Sequence, residues 1–139
     1  MKALRFALNH MVAPRRDFAG FFALAREIGI DAVEIRNDLA GIAIADGTPP
    51  VAVRAAAEAA GLTILSVNAL QRFNDWTTQR AAEARALADY AAACGARGLV
   101  LVPVCDGIPG DEARLEEALA ALKPLLMQRG LTGLVEPLG

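Results

Sequence analysis

Leu99-Val100-Leu101-Val102-Pro103-Val104 is an unbroken apolar run rich in β-branched residues, with Gly98 before it and Cys105-Asp106 after it. A run this short and this apolar reads as a strand buried on both faces, the habit of parallel sheets covered by helices. Working outward, comparable runs stand at Leu4–Asn9, Ala32–Arg36, Thr63–Asn68 and Gly133–Pro137. Ala-rich segments with helical spacing lie between them. Strand starts recur about every 30 residues, the size of one βα unit.

Helix punctuation agrees with that alternation. Asp17 caps a helix that passes through Phe21, Phe22 and Ala25 to Ile28 and stops at Gly29. Thr48 places a capping hydroxyl before Pro49 at the first helical position, and Gly61 ends that helix. A third helix begins near Asp75–Thr78 and ends at Cys94–Gly95. Asp111 caps the fourth, which ends at Gly130 and should be kinked or locally unladdered at Pro124. The predicted order is β-α-β-α-β-α-β-α-β with no hairpin signal. The stretch Asn37–Thr48 is the longest irregular connection and follows a strand, on the face where such folds build their sites.

The chain has 139 residues, 55% of them hydrophobic, and a formal net charge of −2. That is ample for a core and far from the composition of disordered chains. A pI near 5.4 argues against a nucleic-acid binder, and the pair Arg15–Arg16 is too small a basic patch to change that. No stretch is long and apolar enough for a membrane span. The N-terminal run is short for a signal peptide and is interrupted by Arg5. Cys94 and Cys105 show no CxxC spacing, and two free thiols fit a cytoplasmic protein.

Two architectures use this alternation: an open doubly wound sheet and a (β/α)8 barrel. A nucleotide-binding open sheet wants a glycine-rich turn after the first strand. Here that turn reads Asn9-His10-Met11-Val12-Ala13-Pro14, without glycine. The acidic residues of a phospho-acceptor domain are missing there as well. A complete barrel, for its part, typically needs about 250 residues.

Five segments resemble one family in order along the chain. Phe6-Ala7-Leu8-Asn9, then Asp17-Phe18 leading to Ala25-Arg26-Glu27-Ile28-Gly29-Ile30-Asp31-Ala32-Val33-Glu34-Ile35-Arg36, resembles the opening of xylose-isomerase-like TIM barrels. Ala60-Gly61-Leu62-Thr63-Ile64-Leu65-Ser66-Val67-Asn68 is similar to their third strand and Ala91–Pro103 to their fourth. Gly133-Leu134-Val135-Glu136-Pro137 resembles the fifth, which in that family ends in a metal-binding glutamate. The branch is that of sugar phosphate isomerases and epimerases, inosose isomerase and hydroxypyruvate isomerase. The resemblance implies an α/β fold that is part of a TIM barrel, with about five parallel strands and four helices. It reads residues 1–139 as one domain, the N-terminal half of the barrel.

Glu136 is the first candidate for chemistry, because barrel enzymes place catalytic groups at the C-terminal ends of strands. A glutamate reaching solvent from a strand end is the alternative. The resemblance makes Glu136 a catalytic group and a ligand to Mn²⁺, Mg²⁺, Co²⁺ or Zn²⁺. Its partner ligands in the family, an Asp, a His and a second Glu, come from later strands. His10, the only histidine, follows the first strand and can reach a sugar hydroxyl or phosphate; a surface loop residue is the alternative. Arg36 shares a strand face with Glu34 and suits a phosphate or carboxylate, unless the two simply form an internal ion pair or end the strand in solvent. Asn68, read as the end of its strand, can donate to a hydroxyl or merely cap a turn. Phe73 and Trp76 wall a sugar pocket or, by default, pack in the core. Cys105 reads as a small buried apolar residue rather than a nucleophile.

The expected function is therefore the N-terminal part of a divalent-metal-dependent isomerase or epimerase that moves a proton next to the carbonyl of a small sugar or sugar phosphate. Neither nucleic acid nor membrane is expected as a partner. The expected metal site is complete only in a full-length protein. A self-assembling, non-enzymatic half-barrel is one alternative, and its open edges would favour a homo-oligomer. A DNA-repair enzyme like endonuclease IV is another, but that class needs several zinc-binding histidines early in the chain.

Overall fold

The computed structural model describes residues 6–39, 47–106 and 110–136. Within them five strands form one parallel sheet: β1 (Leu8–Asn9), β2 (Ala32–Arg36), β3 (Thr63–Gln71), β4 (Gly98–Val102) and β5 (Thr132–Val135). Four helices connect them: α1 (Phe18–Glu27), α2 (Pro50–Ala59), α3 (Thr78–Ala93) and α4 (Glu112–Met127). A 3₁₀ turn, His10–Val12, follows β1. Leu4, Arg5, residues 40–46 of the long connection and Pro137 lie outside the described residues.

The strand order β1-β2-β3-β4-β5 decides between the two architectures. A doubly wound sheet reverses direction at a switch point, and this order never reverses. Right-handed crossovers that always step the same way place every helix on one face of the sheet. The helices touch in sequence, α1 with α2, α2 with α3 and α3 with α4. This is the wall of a partial TIM barrel, with an outer helical layer and an inner face toward the axis.

Strand alternation sorts residues between the two faces. Val33, Ile35, Val67, Leu99 and Leu101 join Phe21, Phe22, Val53, Leu87 and Leu122 in the core beneath the helices. Ala69, Val100 and Val102 form a smaller buried group apart from it. Phe73 is fully buried in the main core and Trp76 packs against it, so the default reading of these aromatics holds. Among the described residues no helix is long and apolar enough to cross a membrane.

The caps follow the sequence with one slip. Asp17 accepts from the Gly20 amide at 2.8 Å, and Asp111 from that of Ala113 at 3.0 Å. Thr77 caps α3 by accepting from the Arg80 amide. At α2, however, Pro50 rather than Pro49 takes the first helical position, and no side chain caps it. A residue that precedes proline is pushed out of the helical region, and Pro49 accordingly has ψ 135°. Thr48 therefore stands one residue too early to cap. Pro124 does not break α4, which continues to Met127. The carbonyl deprived of its partner belongs to Ala120, an exposed residue. Helix α1 gives way at Gly29, whose φ of 75° places it in the left-handed region open to glycine.

Strand β3 also runs past its predicted end. It continues from Asn68 to Gln71, with a shift of register against β4 between Val67 and Leu70. Asn68 is thus interior to a strand and only 4% exposed.

Candidate active site

On the inner face, toward the C-terminal ends of the strands, lies a cleft of about 360 Å³. Asn9, Glu34, Arg36, Asn68 and Glu136 supply its polar lining, and Val100, Leu134 and Val135 its apolar floor. Parallel pairing puts these side chains together. Asn9 stands beside Glu34 in register, Glu34 beside Ser66, and Arg36 beside Asn68.

Glu34 is the centre of the polar cluster. Its Oε1 accepts from Asn9 Nδ2 at 2.5 Å and from Asn68 Nδ2 at 3.1 Å. Its Oε2 accepts from the Ser66 hydroxyl at 2.5 Å. The same Asn68 nitrogen lies 3.4 Å from Glu136 Oε2, so it bridges two carboxylates. Ser66 and Asn68 are both buried.

Arg36 does not pair with Glu34 as the ion-pair reading would have it. It forms a two-pronged bridge to Asp38, Nε to Oδ1 at 2.7 Å and Nη2 to Oδ2 at 2.6 Å. The hydrogen bond from Asp38 pushes the Arg36 pKa above its usual value, against the lowering effect of burial. The charges of Asp38, Glu34 and Glu136 push it the same way.

The predicted site residues thus divide. Arg36, Asn68 and Glu136 meet in one cleft. His10 lies apart from its lining: fully buried, stacked on Phe21 with centroids 4.4 Å apart, and with Nε2 2.8 Å from the Arg16 carbonyl oxygen. Its Nδ1 has no partner among the described residues. Cys105 is exposed, not a buried apolar residue, because it stands in the connection beyond β4. The central role of Glu34 and Ser66 was missed. The signal available was a polar residue at the inward position of each of three successive strands.

Glu136 suits a divalent cation as a single carboxylate ligand at the cleft. The described residues contain no group of three or more His, Cys, Asp or Glu able to hold one.

Known proteins place this geometry. The family model for the xylose isomerase-like TIM barrel matches residues 22–139, and the chain belongs to that family. A xylose isomerase domain containing protein from Salmonella typhimurium LT2 is 36% identical, with a TM-score of 0.92 over 97% of this chain and 50% of that one. An IolI protein with a bound zinc atom is 15% identical, with a TM-score of 0.77 over 95% of this chain and 51% of its own. An AP endonuclease of family 2 from Brucella melitensis is 24% identical, with a TM-score of 0.69 over 99% of this chain and 56% of its own. The last two are likenesses of fold alone. The chain spans about half the length of these solved relatives. No curated protein matches.

Proposed function

We propose that this chain supplies the N-terminal half of the active site of a divalent-metal-dependent isomerase or epimerase acting on a small sugar or sugar phosphate. The observation that carries the reading is Glu136, a carboxylate at the end of a barrel strand, beside the cleft and within reach of Asn68. Family membership supports it, and so does the zinc atom in the IolI relative. A bound divalent ion would stabilise the negative charge that develops when a proton leaves the carbon next to a carbonyl. Glu136 would be one of its ligands. Asn68 and Arg36 would orient substrate hydroxyl or phosphate oxygens against the cleft wall. His10 is left out of this role, since Phe21 and the Arg16 carbonyl hold its ring away from the cleft lining.

The test, made on a full-length protein that contains these residues, is exchange of solvent deuterium into a panel of ketoses and their phosphates, followed by proton NMR with Mn²⁺ or Zn²⁺ present. Metal-dependent exchange that is lost in Glu136→Gln is the expected result. Absence of exchange across the panel, with either metal, overturns the proposal.

The endonuclease relative favours a second reading. One histidine and a net charge of −2 weigh against it, because that chemistry wants several metal-binding histidines and a surface that tolerates DNA. Nicking of a plasmid carrying abasic sites would restore it.

A further inference from the structure

Glu34 is held by three neutral donors from the two strands that flank it, Asn9 of β1 and Ser66 and Asn68 of β3. The cation nearest in sequence on the same face, Arg36, is given over to Asp38. Glu34 is half-buried in the cleft wall, and a carboxylate partly withdrawn from water without a salt bridge still costs more than an apolar residue packed at the same inner position. The cluster therefore calls for a reason beyond packing.

Its directionality supplies one. An ionised carboxylate only accepts, so every group around Glu34 must present a donor. Asn9 cannot turn its amide over, because its Oδ1 already accepts from the Met11 amide at 2.8 Å. Asn68 cannot turn over either: its carbonyl oxygen would then face Glu34 and Glu136 together. Its Nδ2 carries two hydrogens, enough to serve Glu34 at 3.1 Å and Glu136 at 3.4 Å. The chain of bonds runs from a fixed amide on β1, through Glu34, to the carboxylate at the end of β5.

We infer that Glu34 is a positioning residue: anchored by Asn9 and Ser66, it aims the Asn68 amide at Glu136 and so orients the Glu136 carboxylate in the cleft. This deepens the proposed metal-dependent function and rests on it for the role of Glu136, while the orientation of Asn68 stands on the hydrogen bonds alone.

Two variants separate the carboxylate's geometry from its charge. In Glu34→Gln, Oε1 still accepts from both asparagines, and the new amide donates to Ser66 once that hydroxyl reverses. Glu34→Leu keeps the approximate volume and removes both acceptors. The first readout is exchange of the Asn68 side-chain amide protons with solvent by NMR, with the backbone amides of Val67 and Leu99 as controls for folding. Glu34→Leu should speed that exchange by roughly tenfold or more while the controls hold, and Glu34→Gln should restore it to near the parent value. The second readout is the Mn²⁺ affinity of a full-length protein that contains these residues, which Glu34→Leu should weaken by roughly 10- to 100-fold and Glu34→Gln should largely retain.

Unchanged Asn68 exchange in Glu34→Leu overturns the inference. So does faster exchange with no loss of Mn²⁺ affinity. A full-length parent protein that binds no Mn²⁺ overturns the proposed function instead, and the amide exchange then decides the positioning by itself. If Glu34→Leu does not fold, Ser66→Ala removes one anchor and should shift the same signal in the same direction.

Discussion

Burial separates the two cysteines in a way that chemistry can read. Cys94 is 1% exposed at the end of α3, and its burial pushes the thiol pKa up, against backbone hydrogen bonds that lower it. Cys105 is exposed in the connection beyond β4. The thiolate is the reactive form, so both its raised pKa and its inaccessibility protect Cys94. Mass spectrometry after iodoacetamide treatment should find Cys105 alone modified in the folded protein and both modified in urea. The raised pKa also has a sign for stability. The folded state holds the Cys94 proton more tightly than the unfolded chain does. The associated stability is therefore complete below the unfolded thiol pKa and is lost as pH rises through the folded one. Chemical denaturation across the alkaline range should show that decline, and Cys94→Ala should flatten it. Legibility at this scale depended on whether a residue's surroundings are local. Glu136 could be picked out because its strand and its position at the strand's end are both sequence features. The burial of His10 could not, because it depends on Phe21 from the following helix closing over the ring. The grip on Glu34 depends on the register of β1, β2 and β3, which no single run of residues records.

The elements themselves were largely legible, since each helix carries its stop in a following glycine and most carry their start in a capping side chain. The misplacements have local physical causes. Two successive prolines leave the start of α2 ambiguous by one residue until the constraint on Pro49 is applied. Nothing after Asn68 announces an end to β3, because Ala69 and Leu70 are apolar and continue into buried positions. Glycines at the β4–β5 seam give a prediction at this scale. A Cβ on Gly98 would lie 2.9 Å from the Thr132 carbonyl oxygen, a backbone atom of the paired strand. A Cβ on Gly133 would meet the Leu126 and Leu101 methyl carbons at 3.1 and 3.2 Å. Side-chain ends can move aside, whereas a paired strand must shift as a unit. Gly98→Ala should therefore cost about 1–3 kcal/mol, the range of overpacked sites. Gly133→Ala should cost less, and urea midpoints measured under one condition compare the two. Equal midpoints would mean that the β4–β5 pairing yields more readily than its geometry implies.

At the scale of the whole molecule, the strand order leaves β5 as the last strand of the sheet among the described residues. All four of its residues are exposed, with Leu134 at 41% and Val135 at 52%. Beside it an apolar groove of about 300 Å³ runs between β5 and α4, lined by Leu119, Leu122, Leu126, Met127 and Val135. Soluble proteins usually protect such an edge with a charge, a proline, a bulge or a covering element. Strand β5, Thr132–Val135, carries no charge and no proline. In a closed barrel the next βα unit would pair with this edge and fill this groove. A polypeptide of these 139 residues alone should therefore bury the surface against another copy. Sedimentation velocity over a wide concentration range should show mass action between monomer and larger species. Val135→Lys places a charge on the edge, away from Glu136 in side-chain direction, and should move the equilibrium toward monomer. If the parent remains monomeric throughout, the edge is not driving association. If Val135→Lys leaves the distribution unchanged, the association uses another surface, and the β5 edge does not provide the contact.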